Sequence, residues 1–333
     1  MADKQILINT INQYALEKRP FLLIADFELN KPLLFPIDEL PQDIRFQTPG
    51  FPGTSDMGTR HLIHEFERDL ISYEKYQRSF RGIRKEALAG NTFLANLTFQ
   101  TPIRTNLGIR EIYELAEARY KLLMRNEFVV FSPEIFIRIR DGMIRSYPMK
   151  GTIDADIPGA KEILLEDEKE MAEHVTIVDL IRNDMSIHAS HVRVNKFRYL
   201  DTLATSHKTL LQVSSEIEGQ LPSNYLSQLG NIIFSMLPAG SVSGAPKHET
   251  LRIIREAEGA DRGYYTGIMG YFDGSDFDSA VLIRYIENQD GQLVYRSGGG
   301  ITFLSDPEKE YQETVNKAKA LLKSIEIAEK GLL

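Results

Sequence analysis

Three Asp-Gly pairs, at 141–142, 273–274 and 290–291, constrain this chain more than any other feature, because each lies between apolar runs of strand-forming residues. A two-residue Asp-Gly loop favours positive φ at both positions and matches the right-handed twist of the strands it joins. Strands joined in this way are antiparallel neighbours. Phe21–Ile24 and Leu33–Phe35, separated by a polar Asn-Lys-Pro turn, read as a further strand pair. Between such segments the spacing turns helical: Tyr76, Phe80, Ile83 and Ala87 share one face, and Gly90 is placed to end that helix. Further helices are expected at about 109–124, 166–184, 223–236, 246–258 and 307–328, and an exposed loop over the Gly- and Pro-rich residues 48–59. Hairpins with interspersed helices imply an α+β fold with largely antiparallel sheets, not a doubly wound parallel one.

Composition narrows the functions. Lys plus Arg number 39 against 47 Asp plus Glu, a formal charge of −8, so no basic stripe is available for a nucleic-acid backbone. No apolar run approaches the ~18 residues of a membrane span. The opening Met-Ala-Asp-Lys-Gln lacks the basic-then-apolar plan of a signal peptide, which implies a cytoplasmic protein. There is no cysteine, which removes disulfides, thiolate metal sites and cysteine nucleophiles together.

Two helices carry paired acids. Glu170 and Glu173 are three apart on a face that continues through Ile177 and Leu180. Ser305-Asp306-Pro307-Glu308 reads as a helix start; one turn in, Glu310 and Glu313 repeat the spacing, with Lys317 four later and Leu321 beyond. Acids in a first turn also favour the helix dipole and can simply be solvated. Four carboxylates with no thiol and no local histidine cluster suit a hard cation such as Mg²⁺.

The hairpin over 132–152 offers two registers. A two-residue turn pairs Ile135 with Pro148 and Ile137 with Ser146. A three-residue loop, Asp141-Gly142-Met143, faces Ile135 with Met149 and Ile137 with Tyr147, gathering one apolar face. The second register is preferred on burial, and it sets Glu134 opposite Lys150. Ala239 to Lys247 and Ser297 to Ile301 are glycine-rich and could present backbone N–H groups to an anion, though such loops also serve as tight turns. The first is not a P-loop, since Gly240 and Gly244 have three residues between them and Ala-Pro-Lys follows.

Over roughly residues 70–325 these segments together resemble the chorismate-utilising enzymes, which include the anthranilate, aminodeoxychorismate, isochorismate and salicylate synthases. Pro133-Glu134, Pro148 to Thr152, Glu170 to Asp184, Ala239 to Lys247, Arg262 to Gly267, Ile283-Arg284, Gly298 to Ile301 and Glu310 to Thr314 stand in the family's order. The resemblance implies an antiparallel sandwich flanked by helices, with the active site between its sheets. We treat 1–333 as one catalytic domain with a short, divergent N-terminal part at about 1–60. It further implies that Glu173 and Glu313 bind Mg²⁺, while Glu170 and Glu310 hold its waters. Tyr265, Arg284 and the backbone of Gly298, Gly299 and Gly300 match positions that hold the pyruvyl carboxylate of chorismate. Lys317 matches a basic position near the ring carboxylate, and Gly240, Ser241, Thr152 and Gln212 complete the substrate-binding set.

Lys150 distinguishes among members. The aminodeoxychorismate synthase large subunit carries Lys in this motif, where anthranilate synthases carry Ala. That lysine is expected to attack ring C2 and expel the C4 hydroxyl, with Glu134 as general acid, before ammonia enters C4. Isochorismate and salicylate synthases activate water with a lysine whose counterpart here is Leu94. Gln212 and Leu94 depart from the usual His and Gln of the amine-adding members. The expected activity is conversion of chorismate and ammonia to 4-amino-4-deoxychorismate for 4-aminobenzoate and folate. Anthranilate synthase component I is the alternative, ahead of isochorismate synthase or a non-catalytic chorismate-binding subunit. Without cysteine or room for a second catalytic domain, the chain is expected to take ammonia from a separate glutamine amidotransferase subunit.

Overall fold

The computed structural model describes residues 2–53, 66–204 and 209–324. In chain order the first elements are α1 (Ala2–Leu16), β1 (Phe21–Ala25), β2 (Leu33–Pro36), β3 (Ile44–Gln47), β4 (Phe66–Arg68), α2 (Tyr73–Leu88) and β5 (Leu94–Thr105). Then come α3 (Ile109–Leu115), β6 (Tyr120–Met124), β7 (Phe128–Ser132), β8 (Ile135–Arg140), β9 (Met143–Ser146), β10 (Met149–Asp154), α4 (Ala160–Glu166) and α5 (Glu168–Ser186). β11 (Ser190–Ala204), β12 (Thr209–Gln220), α6 (Leu229–Ser235), β13 (Gly244–Ala245) and α7 (Lys247–Glu258) follow. The last are β14 (Ile268–Phe272), β15 (Phe277–Val281), β16 (Tyr285–Gln289), β17 (Gln292–Ile301) and α8 (Pro307–Ser324).

The strands form two sheets. One runs β10-β12-β9-β8-β15-β14-β1-β2 with β11 against β12; the other runs β13-β5-β17-β16-β7-β6-β3 with β4 against β5. Every described strand pair is antiparallel, as the hairpin signals required. Strand periodicity distributes the core. Leu22 and Ile24 of β1 join Leu122, Val130 and Met269 between the sheets, whereas Phe21, Leu23 and Ala25 face α1, α5 and α6. On the outer face of the second sheet, α3 and α8 cover Leu123, Val129 and Ile286, and α2 and α7 cover Ala95 and Leu97. No helix among the described residues is long and apolar enough to cross a membrane.

Several expectations need correction. The hairpin at 141–142 is the two-residue form: Arg140 faces Met143 and Ile139 faces Ile144, with Asp141 at φ 52° and Gly142 at φ 72°. β8 is buried on both faces, with Ile135 between the sheets and Phe136 and Ile137 under the helices, so alternation could not choose the register. Lys150 is therefore not across from Glu134; β10 leaves β9 and pairs with β12 instead. The 290–291 turn is likewise a two-residue loop, whereas 273–274 opens a four-residue loop in which the Asp273 carboxylate accepts from the Ser275 and Asp276 backbone. The helix expected over 109–124 stops at Leu115, because Tyr120–Met124 is a wholly buried central strand without helical contrast. Near residue 50, Pro49, Gly50 and Pro52 are exposed as expected, whereas Thr48 is buried and Phe51 stacks on Phe46 at 4.6 Å; residues 54–59 of the expected loop lie outside the described residues. Residues 325–328 of the last expected helix lie outside them as well. α1 carries no strong periodic signal, yet it buries Ile8, Ile11 and Ala15 in the same cluster as Ile232 and Ile233 of α6.

Candidate active site

A cleft of about 670 Å³ draws its walls from both sheets and from α4, α5 and α8. It is lined by Glu134, Lys150, Thr152, Gln212 and Ser241, by the acids Glu170, Glu173 and Glu313, and by Lys317. Tyr265, Arg284, Gly298, Gly299 and Gly300 complete its lining from the sequence candidates. Two candidates stand back from it. Glu310 is 4% exposed behind the acidic wall, and Gly240 borders a smaller cavity behind Ser241.

Local chemistry sets the acidic wall. Asp167 caps α5 by accepting from the Glu170 N–H at 2.9 Å, which fixes the first turn and aims Glu170 and Glu173 inward. Asp306 accepts from the N–H groups of Glu308 and Lys309, both at 3.0 Å, and does the same for α8. Glu173 is only 2% exposed. Its Oε2 lies 2.6 Å from Lys150 Nζ and its Oε1 lies 3.2 Å from Lys169 Nζ. Lys169 also reaches Glu310 at 2.6 Å, and Lys317 bridges Glu313 at 2.7 Å and the Gly298 carbonyl at 2.8 Å. Backbone space is part of the design: a Cβ on Gly300 would lie 2.6 Å from Glu173 Oε2.

Burial pushes the Glu170 and Glu310 carboxyls above the ordinary carboxylate range. It pushes Glu313 the same way, but Lys317, Lys169 and Lys150 together outweigh it and hold that group low. Burial works against the Lys150 ammonium, yet Glu173 and Glu170 prevail and raise its affinity for the proton. Beneath the wall, His174 is buried and shares a 2.6 Å hydrogen bond with Ser215 of β12; burial lowers its pKa to about 4, so it packs as a neutral ring.

The opposite wall is differently made. Arg284 sits at φ 53° between β15 and β16, a left-handed backbone that turns its side chain off the strand line. Its guanidinium is without an ion pair or hydrogen bond among the described residues, and burial lowers its pKa. Nearby Tyr265 is 3% exposed. Its turn is held by fully buried Arg262, which donates to Glu258 and to the carbonyls of Val242 and Asn96. An unpaired cation in a cleft is a receptor for an anionic group. Between the walls, Ser241 donates its hydroxyl to Glu134 Oε1, and burial pushes the Glu134 carboxyl above the ordinary carboxylate range. Gln212 Nε2 donates to Thr152 Oγ1 at 3.3 Å, across the β10–β12 ladder.

The sequence reading missed Lys169, Asn96 and Ser297. Lys169 was signalled by its four-residue spacing to Glu173. Asn96 Oδ1 and Ser297 Oγ are buried without hydrogen-bond partners, and both residues line the cleft; only the pairing of β5 with β17 brings them there.

The acidic wall can be tested for a cation. Glu170 Oε2 and Glu173 Oε1 are buried and accept no hydrogen bond, and every donor atom on offer is a hard oxygen. These residues fit Mg²⁺ in kind. In the present arrangement, with lysines between them, no three acidic or histidine side chains among the described residues stand close enough to hold an ion together.

Comparison with known proteins agrees with this picture. An uncharacterized PabA-like protein of Haemophilus influenzae is 45% identical over 314 residues, covering 94% of this chain and 95% of its own. Anthranilate synthase component 1 of Bacillus subtilis is 33% identical over 282 residues, and the chain spans 53% of that longer protein. Among solved structures, anthranilate synthase component I of Streptococcus pneumoniae superposes with a TM-score of 0.63 at 26% identity, covering 82% of this chain and 62% of that one. The menaquinone-specific isochorismate synthase MenF of Escherichia coli superposes at 0.73 over 97% of this chain and 82% of its own; at 16% identity that likeness speaks to the fold. Residues 53–323 match the family model described as chorismate binding enzyme, so the chain belongs to the chorismate-binding enzyme family.

Proposed function

We propose that this protein is an aminodeoxychorismate synthase large subunit, which replaces the C4 hydroxyl of chorismate with an amino group and leaves the pyruvyl ether in place. The observation that carries this reading is Lys150, a half-buried primary amine in the cleft, sharing it with the Glu134 carboxyl, whose pKa burial raises. The PabA-like name of the 45% identical relative, itself uncharacterized, is consistent with it. Leu94, which cannot activate water, speaks against hydration as the reaction.

Arg284 and Tyr265 take one carboxylate of the substrate. Glu173 and Glu313, with Glu170 and Glu310 through water, would hold Mg²⁺, which supplies positive charge for the other carboxylate when bound. Lys150 sheds its proton before attack, and Glu173, 2.6 Å away, is the acceptor at hand. The lysine nitrogen then bonds to ring C2, both ring double bonds shift one position toward C4, and the C4–O bond breaks. Glu134 gives its proton to the departing hydroxyl, which leaves as water. Ammonia adds at C4, both double bonds return, and the C2–N bond breaks with its electron pair going back to the Lys150 amine. The chain contains no cysteine for glutamine hydrolysis, so ammonia from a separate amidotransferase subunit is part of the proposal.

Anthranilate synthase component I is the second reading, favoured by relatives such as that of B. subtilis. Incubation of the purified chain with chorismate, Mg²⁺ and ammonium separates the two. A product that retains the pyruvyl group and gains nitrogen is expected; fluorescent anthranilate with released pyruvate would reject the proposal.

A further inference from the structure

We propose that Lys169 stands in for the divalent cation when the acidic wall is metal-free, and that ion binding displaces it. The inference rests on the cation reading above and concerns a residue that reading does not use.

α5 packs on β10, β11 and β12, whereas α8 packs on β17 and α2, so their acids approach from separate supports. Lys169 spans the gap. Its Nζ lies 2.6 Å from Glu310 Oε1 on α8 and 3.2 Å from Glu173 Oε1 on its own helix. Those two carboxylates are 4% and 2% exposed, too buried to stand without a counter-charge. An ammonium is a compact charge on a flexible stem, able to mimic an ion and then withdraw.

The fit to this lysine is incomplete. Glu173 Oε1 accepts no hydrogen bond despite the ammonium 3.2 Å away, and Glu170 Oε2 has no hydrogen-bond partner either. Lysines stand between these acids, and no ion-holding group of three forms among the described residues. A cation drawn to Glu173 meets Lys169 at the same oxygen. Two positive charges cannot share it, so one must leave, and Lys169 already lines a cleft into which it can swing.

The test is calorimetric titration with MgCl₂ alone, without substrate, on the full chain and on Lys169→Met and Lys169→Arg. Lys169→Met should bind Mg²⁺ about tenfold more tightly, the scale of a competitive coupling between two cations. It should also melt at a lower temperature without the ion and recover with it. Lys169→Arg, which keeps the charge, should stay near the parent affinity. If Lys169→Met does not fold, acylation footprinting of the unaltered chain decides. Labelling of Lys169 should rise several-fold with saturating Mg²⁺, and unchanged or reduced labelling would overturn the displacement. Equal Mg²⁺ affinity in parent and Lys169→Met would also overturn it while leaving the cation reading intact. No binding by any of the three proteins would remove both.

Discussion

On the wall built by α5, α8 and β10, each cleft-lining lysine rests on a carboxylate, from Lys150 on Glu173 to Lys317 on Glu313. Across the cleft, Arg284 is half-buried and faces no carboxylate among the described residues. The first wall is a set of internal ion pairs whose members can be exchanged for an incoming cation. The second presents a cation ready for negative charge. A half-buried guanidinium without a protein partner among the described residues marks where an anion from outside is expected. The difference assigns the two walls different tasks: one assembles charge, the other receives it.

Glu173→Gln should break the first wall most severely, since one carboxylate serves two lysines. As the group that takes the Lys150 proton, it supplies proton-transfer catalysis of about 10²–10⁴-fold, so turnover at saturating Mg²⁺ should fall about a thousandfold, and a drop below about tenfold would show that this wall is dispensable. Next in size is Glu134→Gln, which should lower kcat about a hundredfold with little change in KM, the scale of one general acid. Because burial raises the Glu134 pKa, its acid form is present at low pH and is lost as pH rises through that raised value. The parent kcat should decline along that limb, and the variant should not show it.

Arg284→Met tests the second wall. It should raise KM for chorismate about thirtyfold or more, as expected for a desolvated charge contact worth at least about 2 kcal/mol. The apo protein should melt no lower, because the substitution removes a half-buried cation that has no partner among the described residues; a lower melting temperature would mean that Arg284 supports the fold instead. The smallest effect is expected from Gly300→Ala, whose Cβ would press on Glu173 Oε2. Overpacking of this kind costs about 1–3 kcal/mol, read as a lower denaturant midpoint with a partial loss of turnover.

The legibility of this molecule in its sequence divides along the same physical lines. The presence of turns and acid pairs was readable because these are local: Asp141-Gly142 favours positive φ, though not a loop length, and Glu310 and Glu313 lie one turn apart on any helix. Strands buried on both faces were not. Tyr120–Met124 loses the contrast that separates strand from helix, and Ile135–Ile137 loses the alternation that would fix a register. The partner of Lys150 was accordingly misassigned. The side-chain contact is with Glu173, 23 residues away on a helix, and depends on β10 crossing to β12. The family motifs located the cleft, but its pairing of lysines with acids follows from packing that no spacing rule encodes. Lys169 illustrates the limit: its link to Glu173 is local, whereas its link to Glu310 spans the fold.

The central claim is that Lys150 carries the reacting ring, and mass spectrometry of the protein itself tests it most directly. With chorismate and Mg²⁺ but no ammonium, the peptide containing Lys150 should gain the mass of chorismate less one water. Adding ammonium should discharge it, and Lys150→Ala should show neither the adduct nor the aminated product. Full amination by Lys150→Ala, or product formed at the parent rate with no adduct ever seen on Lys150, would contradict the account.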